Sequence, residues 1–453
     1  MKSAFAGSGA VQDLVNRGHW TVFLRSALAI LSAAMLLDGL ENQLLGLVVP
    51  TLIKEWHVTR ADFAVVFSIG LLGNAIGGSI GGVAGDRLGR KPLIVVSVLV
   101  FGVMTACAAL ASGTSALALI RFVAGLGLGA YIPNGAALIS EITPFRSKNI
   151  AIAITIAGAP IGGIVGAAIS AYMLPEMGWR PLFVICGSLP IPVALGAILL
   201  LPESPSFLNA RSNHRALART LRRLGHRVND DAIADDDQTG ARHIAPWNSV
   251  FAKDQWRNTT GLAIIFILAQ YNLFGLLSWA PLLMSGAGFP TASVSAGIIS
   301  LHSGSIAGAL CVAWFIQRLG SRMALSLLLL GAASVAPFGL LHVGPESTIV
   351  PWLAVYGIAG LFAAALISSM YVVAAHAFPP LIRSTGIGFV LTASRVGSIL
   401  SPLILAKAMH ASAAVGYFLA LELPMLLGLL GVLIIGNHIP RPAVTIGVPQ
   451  SFS

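Results

Sequence analysis

Charge is what this chain lacks most. Only 10% of its 453 residues are Asp, Glu, Lys or Arg, against roughly a quarter in soluble proteins. A surface wetted on all sides needs more, so a soluble globular fold is excluded. Cysteine is also scarce. Cys107, Cys186 and Cys311 each stand alone in an apolar run, which leaves no disulfide framework and no metal-ligand spacing, so no metal is expected. Acids are the rarer charged residues, 17 against 27 Lys and Arg. The basic excess does not read as a nucleic-acid surface, because it is distributed by topology. Most basic residues fall in the N-terminus, alternate connections and the C-terminus. Lys54, Arg60, Arg180 and Lys407 lie on the other side, and Arg121 and Arg395 inside apolar runs. That asymmetry is the positive-inside bias, and it puts both termini in the cytoplasm. No small-residue cleavage site follows the first apolar run, so that run is expected to remain a helix.

What is abundant is apolar sequence, 56% of the chain. A helix needs about 20 mostly apolar residues to cross the hydrocarbon core. Twelve stretches qualify: 23–48, 62–85, 93–112, 117–140, 150–173, 181–201, 258–281, 293–316, 323–343, 350–374, 386–408 and 414–436. The prediction is an all-α polytopic membrane protein with twelve transmembrane helices in two six-helix bundles. Its divisions are a tail over 1–22, an N-terminal bundle over 23–206, a linker over 207–257, a C-terminal bundle over 258–437 and a tail over 438–453. In the linker, Arg215, Arg219, Arg222 and Arg223 fall near one face of a short helix suited to an anionic membrane surface. Asp230 to Asp237 follows as an acidic run.

Span two contains Gly73, Gly77, Gly81 and Gly85, one residue in four, a stripe on which another helix can approach to backbone contact. A charged turn with Asp86, Arg87, Arg90 and Lys91 follows. Asp86-Arg-Leu-Gly-Arg90 is echoed by Gln317-Arg-Leu-Gly-Ser-Arg322, and Thr143-Pro-Phe-Arg146-Ser147 by Pro380-Leu-Ile-Arg383-Ser384. The two echoes have nearly the same offset, which argues for a duplicated half. Two enzyme-like patterns fail on context. Gly77-Gly-Ser79-Ile-Gly81 lies in the helical stripe, where a hydrolase elbow needs a strand-turn-helix. Gly125-Leu-Gly-Leu-Gly129 lacks the strand and spacing of a dinucleotide loop.

The Asp86-Arg-Leu-Gly-Arg90 turn resembles the signature loop of the major facilitator superfamily of transporters. Asp38-Gly39-x-Glu41, Arg121-x3-Gly-x-Gly-x-Gly, Pro133-Asn134 with Glu141, and Pro202-Glu-Ser-Pro205 narrow the resemblance to its aromatic acid:proton symporters. So do Ile382-Arg-Ser-Thr-Gly386 and Ser394-Arg395-Val-Gly397. The likeness implies two six-span repeats around an axis normal to the membrane, no cofactor beyond the coupling ion H⁺, and a monomer. It has departures. Glu41 stands where the family usually has Asp, Ser206 where Arg is frequent, and Gln317 where the first half has an acid. Gly158-Ala-Pro160-Ile-Gly162-Gly163 partly resembles the span-five motif of proton-drug antiporters.

Ionisable groups inside spans are costly and usually face a cavity or a partner. Arg395 lies near the midplane of span eleven, where a guanidinium is suited to hold a carboxylate bidentately; the competing role is a structural partner for Glu422 or Asp38. Asp38 and Glu41 share one helix face at i, i+3, and Arg121 enters to the same depth. Two acids so placed cannot both ionise cheaply, so the group is a candidate proton carrier, or else an ion-pair tie between spans one and four. His302, Gln270, Asn272, Tyr131 and Asn134 are mid-span polar groups suited to a hydroxylated ring, or to interhelical hydrogen bonds. Asp86, Arg87, Arg90, Glu141, Arg146 and Arg383 sit at cytoplasmic helix ends as a salt-bridged inner gate. Glu422, mid-span twelve, belongs to no family motif and is a candidate second proton site. The bundles are expected to rock along the small-residue stripes of spans two, five, eight (Gly304, Gly308) and eleven.

The expected function is import of a small aromatic carboxylate with protons by alternating access. A symporter of another organic acid, dicarboxylate or sugar shares most motifs. A proton-coupled exporter fits the partial span-five motif, and a membrane sensor on the same scaffold is a third reading.

Overall fold

A computed structural model describes residues 11, 14–226, 247–253, 255–343, 347–379, 382–409 and 413–441. The acidic run Asp230 to Asp237 and most of both tails lie outside them. The N-terminal half is built from α1 (Val22–Trp56), α2 (Arg60–Leu88), α3 (Arg90–Cys107), α4 (Thr114–Ile142) and α5 (Lys148–Met177). A sixth pass follows, broken at Pro190 into α6 (Trp179–Ser188) and α7 (Pro190–Leu200). Short helices α8 (Pro205–Ala210) and α9 (His214–Arg223) begin the linker. The C-terminal half contains α10 (Trp256–Gly286), α11 (Thr291–His342), α12 (Ile349–Ala377) and α13 (Arg383–Ala408). Its last pass is α14 (Ala413–Glu422), a 3-10 turn over Leu423–Leu427 and α15 (Gly428–Ile434).

Eleven of these rods are long and apolar enough to cross a membrane. One of them, α11, has 52 residues, about 78 Å at 1.5 Å per residue, more than twice the hydrocarbon thickness. It is two passes joined at Gly320, whose φ of 74° and ψ of 161° are not helical. The described residues therefore trace twelve passes, the expected number.

The duplicated turn is visible in the backbone. Gly89 in Asp86-Arg-Leu-Gly89 has φ 100°, and Gly320 in Gln317-Arg-Leu-Gly320 has φ 74°. Both occupy a region that essentially only glycine enters. The chain leaving each half caps the helix that begins there. The Glu203 carboxylate accepts from the Arg90 and Lys91 backbone N–H groups at 2.9 and 3.2 Å. In the second half the tail takes this role: Ser321 N–H donates to Ile439 O at 3.0 Å, and Ile439 N–H to Ser321 Oγ at 2.8 Å.

The glycine stripes pack within each half. A Cβ at Gly73, Gly77 or Gly81 would collide with the α4 backbone at Phe122, Leu126 or Ala130. One at Gly158 or Gly162 would strike α1, and one at Gly304 or Gly308 would strike α12. This corrects the expectation that the halves slide along these stripes. A side-chain-free stripe gains most where two backbones stay in permanent contact, and these contacts are already filled inside each bundle. Gly163 is an exception, because it faces His302 of the other half.

In the linker, the apolar face of α9 is taken up by protein. Leu217 and Leu221 pack with Val15 and Leu208, while Arg215, Arg219, Arg222 and Arg223 remain exposed. The surface left for anionic headgroups is polar and basic, without an apolar face to insert.

Candidate functional site

The two halves are joined at the end opposite the basic turns. Ser68 Oγ on α2 donates to Ile399 O on α13 at 2.7 Å, Arg60 reaches Met409 O at 3.5 Å, and Phe67 stacks edge-on against Trp279 with centroids 5.6 Å apart. His302 Nε2 on α11 meets Gln43 Oε1 on α1 at 3.2 Å. Three to four turns nearer the basic end, Gly82 on α2 and Gly388 on α13 face open space. The halves therefore touch at one end and diverge toward the other.

Asp38 and Glu41 lie at the core of this interface. Gly39 between them lets α1 approach α5 so closely that a Cβ would overlap the Ala159 backbone, which seats both acids in the protein interior. Both are almost fully buried. Their partners differ. Glu41 Oε1 pairs with Arg121 Nη1 and accepts from Thr105 Oγ1 at 3.3 Å, while its Oε2 is buried without a partner. Asp38 accepts a 3.3 Å bond from Asn42 Nδ2 and stands in electrostatic reach of Arg395 across the interface. Arg395, on α13, also faces Tyr371 and has no ion-pair partner within 4.0 Å among the described residues.

A small cavity of about 40 Å³ opens beside the Glu41–Arg121 pair. Glu41, Asn74, Arg121 and Ser278 line it with polar groups, and Phe67 and Phe274 with rings. None of the six expected ligands, Arg395, His302, Gln270, Asn272, Tyr131 and Asn134, lines it. Tyr131 donates to Leu31 O at 2.5 Å, and Asn134 donates to Gly81 O at 2.9 Å and Ala130 O at 2.8 Å, both inside the N-terminal half. Asn272 turns into the C-terminal half, donating to Glu422 Oε2 at 2.7 Å. Gln270 is half-buried with no hydrogen bond among the described residues. His302 is buried as a contact between the halves.

At the basic end, Arg90 pairs with Glu141 at 2.8 Å and with Asp86 at 3.7 Å. Ser204 Oγ bonds Glu141, and Arg87 contributes its carbonyl to Arg211 at 2.7 Å. This network stays within the N-terminal half and linker. Arg146 is exposed, as is Arg383, whose Nε reaches Phe378 O at 3.4 Å. Sequence alone assigns no site role to Glu203, Ser204 or Gln43. The Pro202-Glu-Ser-Pro205 motif carried a signal for the first two, but nothing local marks Gln43, whose partner is 259 positions away.

Two helical bundles meeting over buried acids, a facing arginine and a ring-lined cavity define a membrane carrier. The chain belongs to the Major Facilitator Superfamily, whose family model matches residues 31–402, and it is a transporter, not an enzyme. It is 31% identical to a 4-hydroxybenzoate transporter, PcaK, of Pseudomonas putida over 86% of each chain. It is 28% identical to a gallate transporter of the same organism, over 93% of this chain and 92% of that one. Its fold is similar to that of a bacterial homologue of the lysosomal transporter Spinster, solved inward-facing and unoccupied. The TM-score is 0.68 at 17% identity, covering 92% of this chain and 96% of the other.

Proposed function

We propose that this protein imports a small aromatic carboxylate together with protons across a bacterial inner membrane, as a monomer with both termini in the cytoplasm. The observation that carries this reading is Arg395, a membrane-embedded cation without an ion-pair partner among the described residues, standing opposite Asp38 at the interface of the halves. A substrate carboxylate would complete its charge, and Phe67 and Phe274 offer aromatic surfaces in the neighbouring cavity. The relatives that carry 4-hydroxybenzoate and gallate support the aromatic class.

In this mechanism Asp38 takes a proton from the outer side, which removes its pull on Arg395 and frees the guanidinium for the substrate. Glu41 and Arg121 hold the adjoining charge pair and shift with it. Neutralisation makes occlusion tolerable, because an uncompensated charge in the bilayer is costly. The halves then part toward the basic end, the arrangement seen here, and proton and substrate leave. In the opposite state the Asp86, Arg87, Arg90, Glu141, Arg146 and Arg383 cluster closes that end. One proton per monoanion draws on the pH gradient alone, ~1.4 kcal/mol per unit, and a second proton adds ~2.3 kcal/mol per 100 mV.

Proteoliposome uptake of labelled 4-hydroxybenzoate tests the reading. Arg395→Ala and Asp38→Asn should each abolish accumulation driven by a pH gradient, with Asp38→Asn retaining counterflow exchange. Proton-driven accumulation by Asp38→Asn would refute the coupling role. Extrusion of the acid from right-side-out vesicles acidified outside would favour the exporter suggested by Gly158-Ala-Pro160.

A further inference from the structure

Glu422 is buried as deeply as the Asp38–Glu41 pair but belongs to a different site. It is 1% exposed, at the point where the last pass breaks from α14 into the 3-10 turn. The break has a local cause: Pro424 has no N–H to offer the Ala420 carbonyl one turn back. Tyr271 on α10 supplies the donor instead, its hydroxyl 2.8 Å from Ala420 O. The next residue, Asn272, donates to Glu422 Oε2 at 2.7 Å. Glu422 Oε1 and the Tyr417 hydroxyl are both buried with no hydrogen-bond partner.

The titratable groups around Glu422 are Tyr271 from α10 and Tyr417 from its own helix, with Tyr356 of α12 behind Tyr417. From α13 comes Ser401, already bonded to Tyr271 O at 2.6 Å. No Lys, Arg or His pairs with Glu422 within 4.0 Å among the described residues, and Arg395 faces Asp38 and Tyr371 instead. An ionised carboxylate in such a place keeps its full desolvation cost with nothing to offset it. A proton on Oε1 makes the group neutral and removes that cost.

We propose that Glu422, held by Asn272 in the broken last pass, is a proton-binding site of the C-terminal half, distinct from Asp38 and Glu41. Discontinuous helices commonly form coupling-ion sites in transporters built from internal repeats. Helix α10 connects this site to the cavity, which it lines one turn further on with Phe274, Leu277 and Ser278. When α10 shifts, the Asn272 bond loosens and the Oε1 proton exchanges with cavity water. The coupling part of this claim rests on the proton-driven reading above; the proton occupancy of Glu422 does not.

The test is infrared difference spectroscopy on the full-length protein in lipid, with and without 4-hydroxybenzoate. A carbonyl stretch of a protonated carboxylic acid should be present. It should shift on ¹³C-glutamate labelling, disappear in Glu422→Gln, move in Asn272→Ala and persist in Asp38→Asn. The labelling and the Asn272 variant keep the test decisive if Glu422→Gln does not fold. In proteoliposomes, Glu422→Gln should still carry substrate but with a reversal potential shifted by the loss of one charge per cycle. A Glu422 that stays ionised, shows no band, or gains thermal stability from sodium alone overturns the proposal. An Asp38→Asn protein that still accumulates substrate while the Glu422 band is intact refutes only the coupling role of Asp38.

Discussion

Glu41 and Asp38 stand one turn apart on α1, and their surroundings separate them. Glu41 is locked to Arg121 inside its own half, whereas Asp38 looks across to a cation in the other half. Removing one member of a buried pair strands the other charge and costs roughly 3–5 kcal/mol, while replacing both by apolar groups costs far less. Arg121→Met and Glu41→Leu should therefore each lower the thermal unfolding midpoint in detergent sharply, and the double variant should recover much of the loss. Gly163 gives a second test at this scale. A side chain there would strike the His302 ring, so Gly163→Val should push the halves apart where they touch. Spin-label distances between α5 and the first arm of α11 would lengthen. Ionisable residues such as Asp38, Glu41 and Arg121 stand out in an apolar run by composition alone. The pairing of His302 with Gln43 does not, because it depends on how two separately folded halves dock.

At the scale of elements, the recurrent device is a glycine turn capped by the chain that leaves the same half. Gly320→Ala should cost about 1–3 kcal/mol from backbone conformation, and more because its Cβ would meet the Arg441 and Ile439 backbone. Gly82→Ala, with open space around it, should leave the unfolding midpoint close to wild type. Helix α9 gives a pH-dependent case. Burial, and then His19, hold the His226 pKa below its ordinary 6.5, so the docked linker prefers the neutral ring. That contribution is fully present above about 6.5 and is lost as pH falls below it. Hydrogen-exchange protection of α9 and of 18–24, corrected for intrinsic rates, should fall on acidification. His226→Gln should flatten the dependence.

For the whole molecule, the interface has one closed and one open end. Cysteines at Ser68 and Ile399 should cross-link readily in substrate-free protein lacking Cys107, Cys186 and Cys311, and the bridge should stop transport until reduced. Cysteines at Gly82 and Gly388 should cross-link only when the outward-open state is trapped. A high cross-linking yield at both pairs without ligand would contradict the asymmetric closure.

The sequence by itself determined the number of passes, the duplicated halves, the charged turn and the buried acids. These follow from local quantities: apolar run length against membrane thickness, the desolvation cost of a charge, and the backbone freedom of glycine. Only the tertiary structure decided that the glycine stripes bind helices within a half, that Glu41 rather than Asp38 takes Arg121, and that Tyr131 and Asn134 serve packing. It also decided that Asn272 belongs with Glu422. Each depends on which faces of distant helices meet, and apolar helices in lipid choose partners by shape and a few hydrogen bonds, which hydropathy does not encode.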